Sequence, residues 1–170
     1  MALAFTLPDT DGTPTPLHVE GAPAAVVVFT CNHCPYALAW HERIQDVARD
    51  YADRDVRVLQ INANNAARHP RDSFEAMKAR VDAGEFAGPY LHDETQEVAR
   101  AYDAVCTPDF FGFDRDLALA YRGRLDASGR SSDPTAPREL FDAMLSIARG
   151  GAAPAVQHVS VGCSIKWKRG

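Results

Sequence analysis

The residues Ala24-Ala25-Val26-Val27-Val28-Phe29-Thr30 form an apolar, β-branched run that ends directly on Cys31-Asn32-His33-Cys34, and a helical pattern opens at Pro35. A strand that passes into a helix across two thiols restricts the chain to α/β arrangements with their chemistry at the carboxyl end of that strand. The first turn of a helix leaves backbone N–H groups unpaired and carries partial positive charge, which favours a thiolate. A cysteine placed there is expected to ionise below the free thiol value of about 8.5. The C-x-x-C spacing sets the second sulfur roughly one turn away, within reach of a mixed disulfide formed at the first. Cys31 is thus the expected attacking thiol and Cys34 the expected resolving one.

The chain has 170 residues, 46% of them hydrophobic and 24% charged, enough for one domain with a substantial core. A formal net charge of −5 argues against nucleic acid or an anionic membrane as a general partner. Soluble protein or small-molecule thiols and disulfides are the expected substrates, with an external thiol reductant; no cofactor is called for, and oligomeric state is not legible. The segment Met1 to Asp9 has neither a basic region nor an apolar stretch of the secretory kind, and nothing approaches the ~18 consecutive apolar residues of a membrane span. A cytoplasmic setting is expected. With only four cysteines, a C-x-x-C in a reducing compartment suits catalysis or metal binding better than disulfide stapling.

Phe5 to Gly12 reads as a strand entering an Asp-Gly turn, with Thr15 to Val19 returning as an N-terminal β-hairpin. Helical spacing of Ala37, Trp40, Ile44, Val47, Ala48 and Tyr51 predicts a helix from Cys34 to Tyr51, with Pro35 in its first turn. Val56 to Asn62 is the next strand. Asp72 and Glu75 have capping-box spacing and are expected to open a further helix. Thr95 to Asp103 predicts another helix, and Asp109 to Asp114 with Leu117 to Arg124 a hairpin. Arg138 to Arg149 is the last helix, stopped by Gly150-Gly151. This order describes an α/β domain over residues 1–151, its central sheet parallel in the first half and closed by an antiparallel hairpin, with residues 152–170 as a tail packed on it or extending from it.

The strand entering C-x-x-C, and later Cys106-Thr107-Pro108 entering a strand, resemble the thioredoxin-like fold: a central mixed β-sheet flanked by helices. The stretches 5–12, 29–36, 91–96, 106–111 and 162–167 are similar to a bacterial redoxin group often called peroxiredoxin-like and related to AhpC/TSA. The resemblance spans nearly the whole chain. It implies that Pro108 is a cis-proline beside the redox pair, that the Thr107 backbone touches a bound thiol substrate, and that the activity is thiol-disulfide exchange in cell redox homeostasis. Two departures bear on mechanism. Peroxiredoxins place threonine three residues before the peroxide-reactive cysteine, whereas Thr30 adjoins Cys31 and stands four before Cys34. Thioredoxin carries a buried acid in the strand before its motif, where this chain has Val26, Val27 and Val28, so His33 or water is the expected substitute base.

His33 is the candidate tuner of the Cys31 pKa. Cys106 and Cys163 are candidate additional redox thiols, with simple packing as the alternative for each. A thiol peroxidase passing through a Cys31 sulfenic acid is the second functional reading. A non-enzymatic metal-handling protein using Cys31, Cys34 and His33 is the third, although one C-x-x-C is half a tetrahedral site and no metal site is expected.

Overall fold

The computed structural model describes residues 4–17, 21–131 and 133–170. Its centre is a five-stranded mixed sheet built on β3 (Ala24–Phe29), the apolar run that precedes the cysteines. β4 (Val56–Asn62) and then β5 (Tyr90–His92) lie parallel on one side of β3, while β7 (Asp109–Asp114) and β8 (Leu119–Gly123) lie antiparallel on the other. Every residue of β3 is buried, because both faces of the sheet are covered.

One face packs Val26, Val28, Val58 and Phe110 against Trp40, Ile44 and Tyr51 of α1 (Pro35–Ala52) and Leu140 and Met144 of α4 (Glu139–Ala148). The other packs Val27, Phe29, Leu59, Ile61 and Phe111 against Ala99 of α3 (Glu97–Ala101), the neighbouring Tyr102, and Ile165 of the C-terminal segment. Each large apolar side chain withdrawn from water in this way contributes about 1.5–3 kcal/mol. Together the two layers fix the direction of β3 and the point at which it delivers Cys31.

A short hairpin of β1 (Thr6–Pro8) and β2 (Pro14–Pro16) joins the sheet through a bridge from Asp9 to Leu91. The expected return strand from Thr15 to Val19 begins earlier and is shorter; Val19 lies outside the described residues. β5 was not expected: three residues are too short to show a period, and it gains its place by adding to the exposed edge of β4. The helix expected from Asp72 starts later, as α2 (Phe74–Asp82), and its N-cap is Ser73, whose hydroxyl accepts from Ala76 N at 3.1 Å. Asp72 instead ends a 3-10 turn over Pro70–Asp72 and is buried. The helix expected over 95–103 contracts to α3, since Gln96 at its start takes φ 65°. The C-terminal segment adds a strand with no periodic signal, β9 (Cys163–Ser164), which pairs antiparallel with β6 (Cys106–Thr107).

Candidate redox site

Cys31 follows β3 and Cys34 is the N-cap of α1, so two core elements hold the sulfurs from opposite ends. Pro35 occupies the first helical position, where its missing N–H costs no hydrogen bond. The Cys34 N–H donates to Cys31 Sγ at 3.3 Å. Across the site, the Thr107–Pro108 peptide is cis; Thr107 Oγ1 lies 3.4 Å from Cys31 Sγ, and Thr107 O accepts from Cys34 Sγ at 3.3 Å. The cysteine motif and the Thr107-Pro108 loop, far apart in sequence, are therefore one site. Both sulfurs are well enclosed, with Cys31 2% and Cys34 1% exposed.

The buried acid missing from β3 is present at another place. Asp72 is fully buried behind the motif, where its carboxylate accepts Asn32 N at 2.6 Å, Asn62 Nδ2 at 3.0 Å and Asn64 Nδ2 at 3.0 Å. His33 Nδ1 donates to the same carboxylate. The imidazole is also stacked flat on His69, with ring centroids 5.0 Å apart. A nitrogen of His33, an oxygen of Asp72 and Cys31 Sγ all lie within 4.8 Å of one another. Tyr90 OH and Arg80 donate to Asn32 Oδ1 at 2.8 and 2.9 Å, so the loop between the cysteines is fixed on every side. The capping-box spacing of Asp72 hid this role; the better signal is the row Asn62, Asn64 and Asn65, amides that follow an apolar strand into the interior and need a buried polar partner.

The two thiols titrate as a pair. A hydrogen bond between their sulfurs, with burial and the Asp72 charge next, pushes the Cys31 thiol up, and the same bond pulls the Cys34 thiol down. The simple expectation of a lowered Cys31 pKa thus becomes a shared charge: one ionisation falls below the ordinary thiol value and the other rises above it. Local donors set where that charge can move. Cys31 Sγ is met by the Cys34 N–H and Thr107 hydroxyl, which suit a thiolate, while Thr107 O opposite Cys34 accepts a proton held there. Ultraviolet thiolate absorbance of the reduced protein is expected to show one thiolate equivalent already around pH 6 and no second one until well above the ordinary range of about 8.5. Absorbance that first rises near the ordinary value would contradict the shared-charge description.

The other two cysteines differ from one another. Cys106 is buried, its Sγ lies 3.6 Å from Pro108 O, and burial pushes its thiol up to about 12, a setting that suits packing. Cys163 stands opposite Thr107 in the β6–β9 pair and packs on Cys31, Cys34 and Ala37. The main clefts lie away from the sulfurs; one, between α1 and α4, is lined by Arg43, Asp50, Asp126, Arg138 and Phe141.

The AhpC/TSA family matches residues 1–122, well over half of the chain. The chain belongs to the AhpC/TSA family. No curated protein matches this redoxin. Among solved structures, an uncharacterized conserved protein from Geobacillus kaustophilus is 42% identical over 99% of this chain and 91% of its own, with a TM-score of 0.93. A hypothetical protein from Sinorhizobium meliloti 1021 is 36% identical over 99% of this chain and 93% of its own, again with a TM-score of 0.93. A thiol:disulfide interchange protein of the thioredoxin family from Chlorobium tepidum TLS, 16% identical, superimposes with a TM-score of 0.66 over 86% of this chain and 94% of its own. That last likeness establishes the thioredoxin-like fold. Among the described residues, no helix is long and apolar enough to cross a membrane.

Proposed function

We propose that this redoxin is a thiol-disulfide oxidoreductase in which Cys31 attacks and Cys34 resolves. The observation that carries the reading is the enclosure of both sulfurs against the Thr107-Pro108 loop, with the half-buried His33 paired to the buried Asp72 beside them. The proton on Cys31 moves across the sulfur–sulfur hydrogen bond to Cys34, leaving a Cys31 thiolate held by the Cys34 N–H and the Thr107 hydroxyl. That thiolate attacks one sulfur of a substrate disulfide; the substrate S–S bond breaks, and its second sulfur leaves as a thiolate. Cys34 then gives up its proton to the leaving group and attacks Cys31 Sγ. The substrate sulfur bound to Cys31 leaves in turn as a thiolate that takes up a proton, and a Cys31–Cys34 disulfide remains for an external thiol reductant.

His33 serves as the nearby group through which a proton enters or leaves, and Asp72 is the positioning residue that fixes its ring and tautomer. The substrate is a protein or small-molecule disulfide, and the setting a reducing compartment such as the cytoplasm. Cys34→Ser is expected to accumulate mixed disulfides at Cys31 in cells, released by dithiothreitol and seen as slow bands on non-reducing gels. Failure to accumulate any, in a folded variant, argues against the proposal.

The family match gives specific ground for a peroxidase reading, in which Cys31 becomes a sulfenic acid and Cys34 condenses with it. The Arg80 guanidinium donates to Asn32 Oδ1 at 2.9 Å. Stopped-flow oxidation by peroxide at a rate no greater than that of an ordinary thiolate is the expected result. A cation at Cys31, His33 and Asp72 would have to displace donors from a carboxylate that already accepts four.

A further inference from the structure

We propose that Cys163 is a third redox thiol that takes the disulfide over from the Cys31–Cys34 pair and carries it to where an external reductant can reach it. The inference rests on the dithiol reading above. It begins from a difference in exposure: Cys31 and Cys34 are 2% and 1% exposed, so a disulfide between them offers less surface to an incoming thiol than one that includes Cys163. Cys163 is partly exposed. Residues directly opposite in an antiparallel pair share a face, and Cys163 faces Thr107, whose hydroxyl and carbonyl contact Cys31 and Cys34. Cys163 packs against the cluster that Cys31, Cys34 and Ala37 form. Cys106 faces Ser164 in the same pair, on the other side, and does not compete for Cys34.

The segment carrying Cys163 is held in register on both flanks. On one side the Ser160 hydroxyl lies 2.5 Å from Gly123 O and 2.7 Å from Asp109 Oδ1. On the other, Lys166 N donates to Asn64 Oδ1 at 2.9 Å, and Lys166 O accepts from Asn65 N at 2.8 Å. Between them Gly162 lies so near the Thr107-Pro108 loop that a Cβ there would fall 2.2 Å from Thr107 O; glycine is what permits this approach.

In the relay, the Cys163 thiolate attacks Cys34 Sγ of the Cys31–Cys34 disulfide. The Cys31–Cys34 bond breaks, a Cys34–Cys163 bond forms, and Cys31 leaves as a thiolate that takes up a proton. The chain stays oxidised by two electrons. A thiolate of an external dithiol then attacks Cys163 Sγ, Cys34 leaves reduced, and the second thiol of the dithiol closes on the first to release Cys163. Burial first, then the hydrogen bond and the charge of Cys34, push the Cys163 thiol up in the reduced protein. Oxidation of Cys34 removes both contributions from Cys34, so Cys163 becomes easier to ionise when the relay needs it.

The test uses two variants of the full chain. Folded Cys31→Ser, treated with one equivalent of diamide, alkylated and mapped by mass spectrometry, is expected to yield Cys34–Cys163 as its main disulfide; free alkylated Cys34 and Cys163, or Cys163 joined to Cys106, overturns the proposal. In Cys163→Ser, the oxidised form is expected to be reduced by a protein dithiol at least tenfold more slowly than the wild type, and an unchanged rate overturns it. A wild type that forms Cys31–Cys34 beside a Cys31→Ser variant that forms no cross-link rejects the relay and leaves the oxidoreductase reading intact. A wild type whose oxidation never links Cys31 to Cys34 rejects the oxidoreductase reading and with it the relay.

Discussion

Cys31→Ser is expected to lower turnover of a disulfide substrate by on the order of a thousandfold or more, since it removes the atom that forms the covalent intermediate. The substitution is gentle on the structure. A serine hydroxyl can still accept the Cys34 N–H and meet the Thr107 hydroxyl, so the loop keeps its contacts and loses only its chemistry. The contrast with Cys34→Ser is the informative part of the experiment. Cys34→Ser retains the attacking sulfur and stops at the mixed disulfide, whereas Cys31→Ser forms no mixed disulfide by the proposed route. Steady-state reduction of a peptide disulfide, with circular dichroism to confirm folding, checks the expectation. More than a tenth of wild-type turnover in Cys31→Ser would assign the attack to another residue, with Cys34 the first candidate because it shares the charge.

The second large effect is expected at Asp72. Alanine there strands the Asn32 N–H and one side-chain amide N–H each of Asn62 and Asn64 in a buried environment, and leaves His33 without its carboxylate partner. Each orphaned donor costs about 1–3 kcal/mol, and breaking a buried pair from one side costs about 3–5 kcal/mol. For a chain of this size each kcal/mol moves Tm by about 2–4 °C, so a fall of at least about 10 °C is expected. Asp72→Asn retains the volume and one acceptor but turns an NH2 group toward existing donors, and its loss should be smaller. A purely structural Asp72 would change Tm alone. A positioning residue also shifts the pH profile of turnover, because the His33 ring is no longer fixed and the charge that opposes a Cys31 thiolate is gone. A Tm change below about 2 °C in Asp72→Ala would show that the network is not holding the loop.

The sequence was most readable where one short-range signal decided the outcome. The β3 run, the α1 stripe of Trp40, Ile44 and Tyr51, and the α4 stripe of Leu140 and Met144 each bury a face whose period is visible in the chain. Cys31, Cys34, Thr107 and Pro108 were legible from motif and resemblance, and the fold does bring them together. What escaped reading depends on pairing over long separations. β5 and β9 are three and two residues long, and each exists because a neighbouring strand offers free backbone groups. Asp72 was misread for a similar reason: its local spacing suits a helix start, while its four partners come from the C-x-x-C loop and the end of β4. Ser73 supplies the cap instead, a contact worth about 1 kcal/mol, and Asp72 turns inward.

The hydrogen bond from Lys166 N to Asn64 has a consequence for synthesis. Asn64 also binds Asp72, so the support behind His33 is anchored in part by a segment that leaves the ribosome late. A nascent chain that has already exposed Cys31 and Cys34 lacks the strand that pairs with Thr107 beside them. When Gly162 to Lys166 emerge and seat beside Thr107, the same residues that complete the site also close it. A chain that stops short of this segment therefore has Cys31 and Cys34 without the strand that pairs with Thr107.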